Sequence, residues 1–434
     1  MKQPARAIAG LLLVAAGFVA LPARADSEAA LVEGLRLEQQ ERLEAAIDAY
    51  RQAAEEATNF NERATAQWRA ALLQLRLSRR AEAAVLFDQI AAAPRPNPYA
   101  AAALESSARI RYELGDLAGA EDSFGRVRSE HAGSPQALRA AYWLALVCAE
   151  DNRAEECVAH ADALLTTLGQ ARAGEDEDGL DEIAVDSADE ALYANTLALM
   201  CRTLAGMGRW REIGATLAGH RTGIDNETAA ELAYWGAEAA YRTGDFDEAA
   251  ERFRRIEAEL SSVADRVRSV VLLRLGQLAA RRQQWTRALE YVEAVEADGF
   301  ELSPELRYLR GRARAGRGEF PAARDAYRRV LSEPQAEGQP IAAMAQWMIG
   351  ETFFHQRDFE RARLELRRVI DEHDQPEWQA RAALEIGKTH EMAGDWARAS
   401  VVYDEAIERW PGSPVEEQLR GRVSHTRDRV ARRK

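Results

Sequence analysis

The side chains that could do chemistry are poorly spaced for it. The seven histidines, His131, His160, His220, His355, His373, His390 and His425, form no H-E-x-x-H or other zinc-ligand spacing. Gly133-Ser134-Pro135 and Gly412-Ser413-Pro414 each place a serine after a glycine, but lack the second glycine of a nucleophile elbow. Gly387-Lys388-Thr389 matches the end of a phosphate loop, yet the position that needs its opening glycine is Ala382. An acidic stretch near Gly169 to Glu190 holds Glu175, Asp176, Glu177, Asp178, Asp181, Glu182, Asp186 and Asp189. It could bind calcium, but Gly179 sits at the wrong offset for an EF-hand loop. Glycan hydrolysis needs two carboxylates facing each other across a cleft, whereas scattered acids on acidic helices are what solvated faces carry. The expectation is a chain that is not an enzyme and binds no metal or cofactor.

The N-terminus has Lys2 and Arg6, an apolar run from Ile8 to Leu21, and the small-residue signal Ala23-Arg24-Ala25. Residues 1–25 therefore read as a secretory signal peptide, with an uncleaved anchor as the alternative. The run is short for a membrane span and no later stretch has 18 apolar residues in a row. The formal charge is −14, and removing Lys2, Arg6 and Arg24 makes it −17, which excludes a general nucleic-acid binder. Export permits disulfides. Cys148, Cys157 and Cys201 either fill small-residue slots in helix pairs or, for Cys148 and Cys157, bridge one hairpin.

A recurring phrase steps back from single residues to the elements that hold them. It reads Gly115-Asp116-Leu117-Ala118-Gly119-Ala120, Gly244-Asp245-Phe246-Asp247-Glu248-Ala249, Gly318-Glu319-Phe320-Pro321-Ala322-Ala323 and Gly394-Asp395-Trp396-Ala397-Arg398-Ala399. Weaker copies end at Ala46, Ala83, Cys157, Ile213, Ala288 and Ala362, so successive copies lie 37, 37, 37, 56, 36, 39, 35, 39 and 37 residues apart. About twelve residues before each phrase end stands a small residue, such as Ala108, Ala145, Cys201, Ala237, Gly276, Gly311, Gly350 or Gly387. Four residues after it comes Tyr50, Phe87, Phe124, Phe253, Tyr327 or Tyr403, and three further on Ile90, Val127, Ile256, Val330 or Val369. Spacings of three and four put these residues on one helix face. The order is helix, tight turn, helix. Glycine closes one helix in a left-handed conformation, and the aspartate caps the next. Ser134-Pro135, Ser303-Pro304 and Ser413-Pro414 predict further helix starts. The long gap marks an insertion over 169–190, too acidic to bury a core of its own, and predicts a flexible loop between repeats 1–4 (26–168) and repeats 5–10 with a cap (191–434).

Small residues near positions eight and twenty of each unit, with an aromatic near twenty-four, resemble the tetratricopeptide repeat. From Ala345 the chain reads AQWMIGETFFHQRDFERARLELRRVI, then QARAALEIGKTHEMAGDWARASVVYDEAIERWPGSP. This is similar to Gram-negative envelope proteins of the Tol-Pal-associated cell-division-coordinator and outer-membrane-assembly types. The resemblance implies an all-α, right-handed superhelical solenoid of about ten hairpins with a C-terminal capping helix. One hairpin cannot bury its apolar face alone; stacking neighbours builds the core.

In that family positions five, nine and twelve of the first helix face the concave groove. The resemblance places Trp68, Tyr142, Tyr234, Tyr308 and Trp347 at position five. It places Arg109, Arg202, Arg312 and Lys388 at position nine, and Tyr112, Tyr241 and Phe354 at position twelve, with Glu351 and His355 beside the last. Aromatic and arginine side chains dominate interface energetics, though such aromatics also serve as plain core. The functional expectation is a non-catalytic scaffold exported to the periplasm, holding a peptide or protein partner of an envelope complex. The alternatives are an envelope enzyme with an unrecognised site and a structural spacer. The basic end, Arg427, Arg429, Arg432, Arg433 and Lys434, complements a helix dipole.

Overall fold

The computed structural model describes residues 25–94, 97–177, 187–218, 227–259 and 265–432. Apart from Ala25, the expected export signal lies outside them. Among the described residues the regular structure is helical, with no strand. The chain divides into two compact units, one ending at Thr203 and the other starting at Leu204.

The first unit contains four hairpins: α1 (Ala25–Gln39) with α2 (Leu43–Glu56), α3 (Phe60–Arg76) with α4 (Arg80–Ala91), α5 (Ala100–Glu113) with α6 (Leu117–Glu130), and α7 (Pro135–Glu150) with α8 (Ala154–Glu177). Most of α9 (Ser187–Gly206) belongs here as well. Its Leu199 joins Cys148 and Cys157 in one apolar cluster, and Leu192 and Tyr193 pack beside Leu164 and Leu168. The two units part within α9, between Thr203 and Leu204. Helix α8 runs on to Glu177 and α9 starts at Ser187, so both ends of the expected loop are helical; residues 178–186 lie outside the described residues.

The second unit opens with α10 (Trp210–Leu217). Five hairpins follow: α11 (Glu227–Thr243) with α12 (Phe246–Glu259), α13 (Asp265–Arg281) with α14 (Trp285–Ala297), α15 (Pro304–Gly316) with α16 (Phe320–Leu331), α17 (Pro340–His355) with α18 (Phe359–Glu372), and α19 (Pro376–Met392) with α20 (Trp396–Arg409). Helix α21 (Glu416–Ala431) packs on α20 through Leu419 and Val423. It starts later than Ser413-Pro414 suggests. The Ser413 hydroxyl has no partner among the described residues, and the Gly412 amide donates to the Glu416 carboxylate at 2.5 Å instead. Ser134 and Ser303 do cap, accepting from Ala137 N at 3.2 Å and Leu306 N at 3.4 Å. Among the described residues no helix is long and apolar enough to cross a membrane.

Packing follows the repeat. All the residues that end the repeated phrase, from Ala46 to Ala399, are 0% exposed. The aromatic four residues later lies over the small residue of the preceding helix. A methyl group on Gly34 would stand 2.5 Å from the Tyr50 ring, and Gly311 and Gly387 are as closely covered by Tyr327 and Tyr403. Burying one such side chain contributes ~1.5–3 kcal/mol.

The turns show why glycine is only sometimes present. Gly115, Gly208, Gly244, Gly318 and Gly394 have positive φ, and so do Glu41, Ser78, Asn152, Gln283 and Arg357 at the equivalent places. Every turn closes the same way: the next residue's N–H returns to a carbonyl five residues back, as in Asp116 N to Arg111 O at 2.9 Å and Asp358 N to Phe353 O at 3.0 Å. Asp116, Asp358 and Asp395 then cap the following helix. Tertiary stacking imposes the left-handed residue even where the sequence supplies a side chain that resists it.

Within each unit, first helices of successive hairpins lie side by side, α5 against α7, α13 against α15, and α17 against α19. They form a continuous face.

Candidate partner-binding face

The fourteen residues placed in or beside the groove lie on first helices or on α9; twelve are half-buried, and Arg202 and His355 are exposed. In the first unit Trp68 meets Phe87 edge-on at 4.9 Å. Arg109, Tyr112 and Tyr142 gather around a residue that the sequence reading passed over, Trp143. The Arg109 guanidinium lies 5.5 Å from its ring, with Tyr112 at 5.3 Å and Tyr142 at 6.2 Å. Trp143 itself stacks on the buried Phe124 at 5.7 Å.

In the second unit Tyr234 packs against Phe253 at 6.2 Å, and Tyr308 against Tyr327 at 5.7 Å. Burial pushes the Tyr308 hydroxyl above its ordinary range, with Arg312 opposing. The Tyr241 hydroxyl donates to Gln277 at 3.3 Å, and the Arg274 guanidinium covers its ring at 4.9 Å. Arg274 also grips the buried Glu238 through two hydrogen bonds of 2.6 and 2.7 Å. Burial works to raise the Glu238 carboxyl, but the hydrogen bonds from Arg274 and the charges of Arg274 and Arg242 hold it below the usual range.

Trp347, Glu351 and Phe354 form a further group. They lie on one face of α17, where i, i+4 and i+7 align. Trp347 meets Trp378 edge-on at 5.8 Å, and Phe354 meets Phe359 at 5.7 Å. Glu351 lies beside Glu385 of α19. Burial first, and the neighbouring Glu385 charge second, push the Glu351 carboxyl up to about 8, against the pull of Lys388. Lys388 is committed to Glu385, donating at 2.6 Å. His355 Nε2 stands 3.9 Å from the Glu351 carboxylate. Among the described residues, Trp347 Nε1 and Glu351 Oε1 are buried and have no hydrogen-bond partner. A buried donor or acceptor left without a partner costs ~1–3 kcal/mol.

Comparison with known proteins gives the repeat its family. A tetratricopeptide repeat-like domain model matches residues 216–344, and a tetratricopeptide repeat model matches 106–175, 316–377 and 348–414. The chain is a tetratricopeptide repeat protein. No curated protein matches its sequence. Among solved structures it is similar to a tetratricopeptide repeat protein from Parabacteroides merdae, at 13% identity and a TM-score of 0.37 over 75% of this chain and 98% of that one. Yeast Tom70 gives 11% identity and 0.36 over 94% and 96%. The Cut9-Hcn1 hetero-tetramer gives 12% and 0.37 over 93% and 96%.

With the repeat assigned, three of the residues missed by the sequence reading fall into one column. Trp143, Arg274 and Glu385 each stand two residues before the small residue of the first helix, at Ala145, Gly276 and Gly387. The signal was present in the alignment of copies but carried no single residue type. The cysteines of this tetratricopeptide repeat protein fill small-residue slots. All three are free thiols, so the alternative bridge between Cys148 and Cys157 is not formed. Cys148 lies with Glu121 and Glu156 in a group compact enough for a metal ion. Arg153 already occupies the centre of that charge, pairing with Glu121 at 2.6 Å and Glu156 at 2.8 Å, and burial pushes the Cys148 thiol up to about 11. A protonated thiol beside a guanidinium is a poor ligand.

Proposed function

We propose that this protein is a periplasmic scaffold of the cell envelope, and that the first-helix face of α17 and α19 holds an extended segment of a protein partner. The observation that carries the reading is the unpaired donor and acceptor on that face, Trp347 Nε1 and Glu351 Oε1. Both atoms are covered in the free chain, so a small shift of the Trp347 and Glu351 side chains accompanies binding; a peptide unit then offers the complement of both, a carbonyl for the indole N–H and an N–H for the carboxyl oxygen. Trp347, Trp378 and Phe354 supply apolar walls for the side chains of such a segment. Export is supported by the charged start, apolar run and Ala23-Arg24-Ala25 of the N-terminus. The envelope setting is supported by the similarity of residues 345–414 to Gram-negative repeats of the Tol-Pal-coordinator and outer-membrane-assembly types.

The test is crosslinking in living cells followed by mass spectrometry, on wild type, Trp347→Phe and Glu351→Ala. Trp347→Phe keeps the ring and removes only the N–H. A reproducible envelope partner in the wild type, depleted several-fold in both variants, supports the reading. Recovery of the same partner in undiminished amount from both variants overturns it. Cell fractionation with N-terminal sequencing checks the location, with a mature chain beginning near Asp26 as the expected result.

A further inference from the structure

Hairpin α15–α16 breaks the packing rule of its neighbours. Four residues before, one before and three after the small residue of the first helix, the repeat buries apolar side chains. On α13 these are Leu272, Leu275 and Ala279, exposed by 2%, 3% and 5%. On α17 two of the three are apolar and buried, Ile349 and Phe353. On α15 all three are arginine: Arg307, Arg310 and Arg314. Hairpin α5–α6 carries a single arginine in this column, Arg111, and satisfies it with Asp88 at 2.6 Å and Ser123 at 2.7 Å.

Of the three on α15, Arg307 is satisfied and Arg310 and Arg314 are not fully so. With Arg329 and Asp325 of α16 they line a cavity of about 150 Å³. Arg310 is only 8% exposed. It pairs with Glu296, and Arg307 pairs with Glu333 at 3.1 Å, while Asp325 turns to Arg328 at 3.2 Å. Arg310 Nε and Arg314 Nε remain buried with no hydrogen-bond partner among the described residues. Four guanidiniums thus meet three carboxylates, one of them shared with an outside arginine. A surplus of positive charge around a cavity favours an anion there. The cavity is far larger than the ~10–15 Å³ that one water needs and smaller than the ~300–1,000 Å³ of a drug-sized site. It suits a small group.

We infer that the arginine-lined cavity between α15 and α16 is a binding site for a phosphate or sulfate group. Planar guanidiniums bind such oxyanions through paired N–H donors, and Arg307, Arg310, Arg314 and Arg329 all line the cavity. The site lies apart from the α17–α19 face, and neither depends on the other.

The test is isothermal titration of the full chain with inorganic phosphate against potassium chloride of equal ionic strength, for wild type, Arg310→Leu and Arg314→Leu. Leucine is what α13 carries at the place of Arg310, so the first variant should fold, with circular dichroism as the check. Arg314→Leu is the second variant should the first fail. Saturable phosphate binding by the wild type, weakened at least about tenfold in the variants, supports the site. Phenyl phosphate binding as tightly as inorganic phosphate would place the group on a larger ligand, and weaker binding would point to the free ion. No saturable heat beyond chloride in the wild type, or an affinity unchanged in both variants, overturns the site.

Discussion

Replacing Glu351 by glutamine should remove a pH dependence from the second unit, and the sign of the effect is fixed by the geometry. The Glu351 carboxyl is held at about 8 in the folded chain, by burial first and by the Glu385 charge second, against an ordinary value of 4.5. Below pH 4.5 the group is neutral in both folded and unfolded chains and contributes no penalty. Between 4.5 and 8 the unfolded chain releases the proton while the folded chain keeps it. Stability present at low pH is therefore lost as pH rises, by ~1.4 kcal/mol for each pH unit, and the loss is complete above 8. A lone group would lose about 3 kcal/mol by pH 7. Glutamine is neutral throughout and has nearly the same shape. Urea unfolding followed by tryptophan fluorescence, from pH 4.5 to 8.5, measures the difference. Wild type and Glu351→Gln should match near pH 4.5, and the variant should gain steadily above it. A stability difference that stays flat across this range would show that the carboxyl is ionised in the folded chain, and the reasoning would fail.

Three further outcomes follow from the repeat. Gly34→Ala should cost ~1–3 kcal/mol by driving a methyl group against the Tyr50 ring, read by chemical denaturation. Arg357→Gly should stabilise the chain by ~0.5–1 kcal/mol, because φ of 61° strains an arginine and not a glycine; a lower melting temperature would contradict the turn assignment. Glu238→Ala leaves Arg274 buried without its two hydrogen bonds and should cost ~3–5 kcal/mol, with amide exchange rising first in α11 and α13.

The face of α17 and α19 was only half legible beforehand. Trp347, Glu351 and Phe354 are neighbours along one helix, so helical spacing alone aligns them. Glu385 and Trp378 come from the next hairpin and were not singled out. Their meeting with Glu351 and Trp347 depends on how two first helices lie side by side, and an unpaired atom is visible only once every possible partner has a position. The same holds for the α15 arginines, which read as ordinary charged helix residues until the column they occupy proves to be core.

The sequence determined the periodic part of this protein. Phrase ends, small residues and aromatics recur at fixed spacing because each hairpin must bury the same stripe against the next, so helix order, core face and most turns could be read directly. Local chemistry also marked the glycine turns and two of the serine caps. Only tertiary structure decided the rest. Stacking forced Glu41, Ser78, Asn152, Gln283 and Arg357 into the left-handed region, placed the unit boundary within α9, and settled which buried polar groups found partners. Those outcomes depend on distances between residues that helical periodicity does not encode.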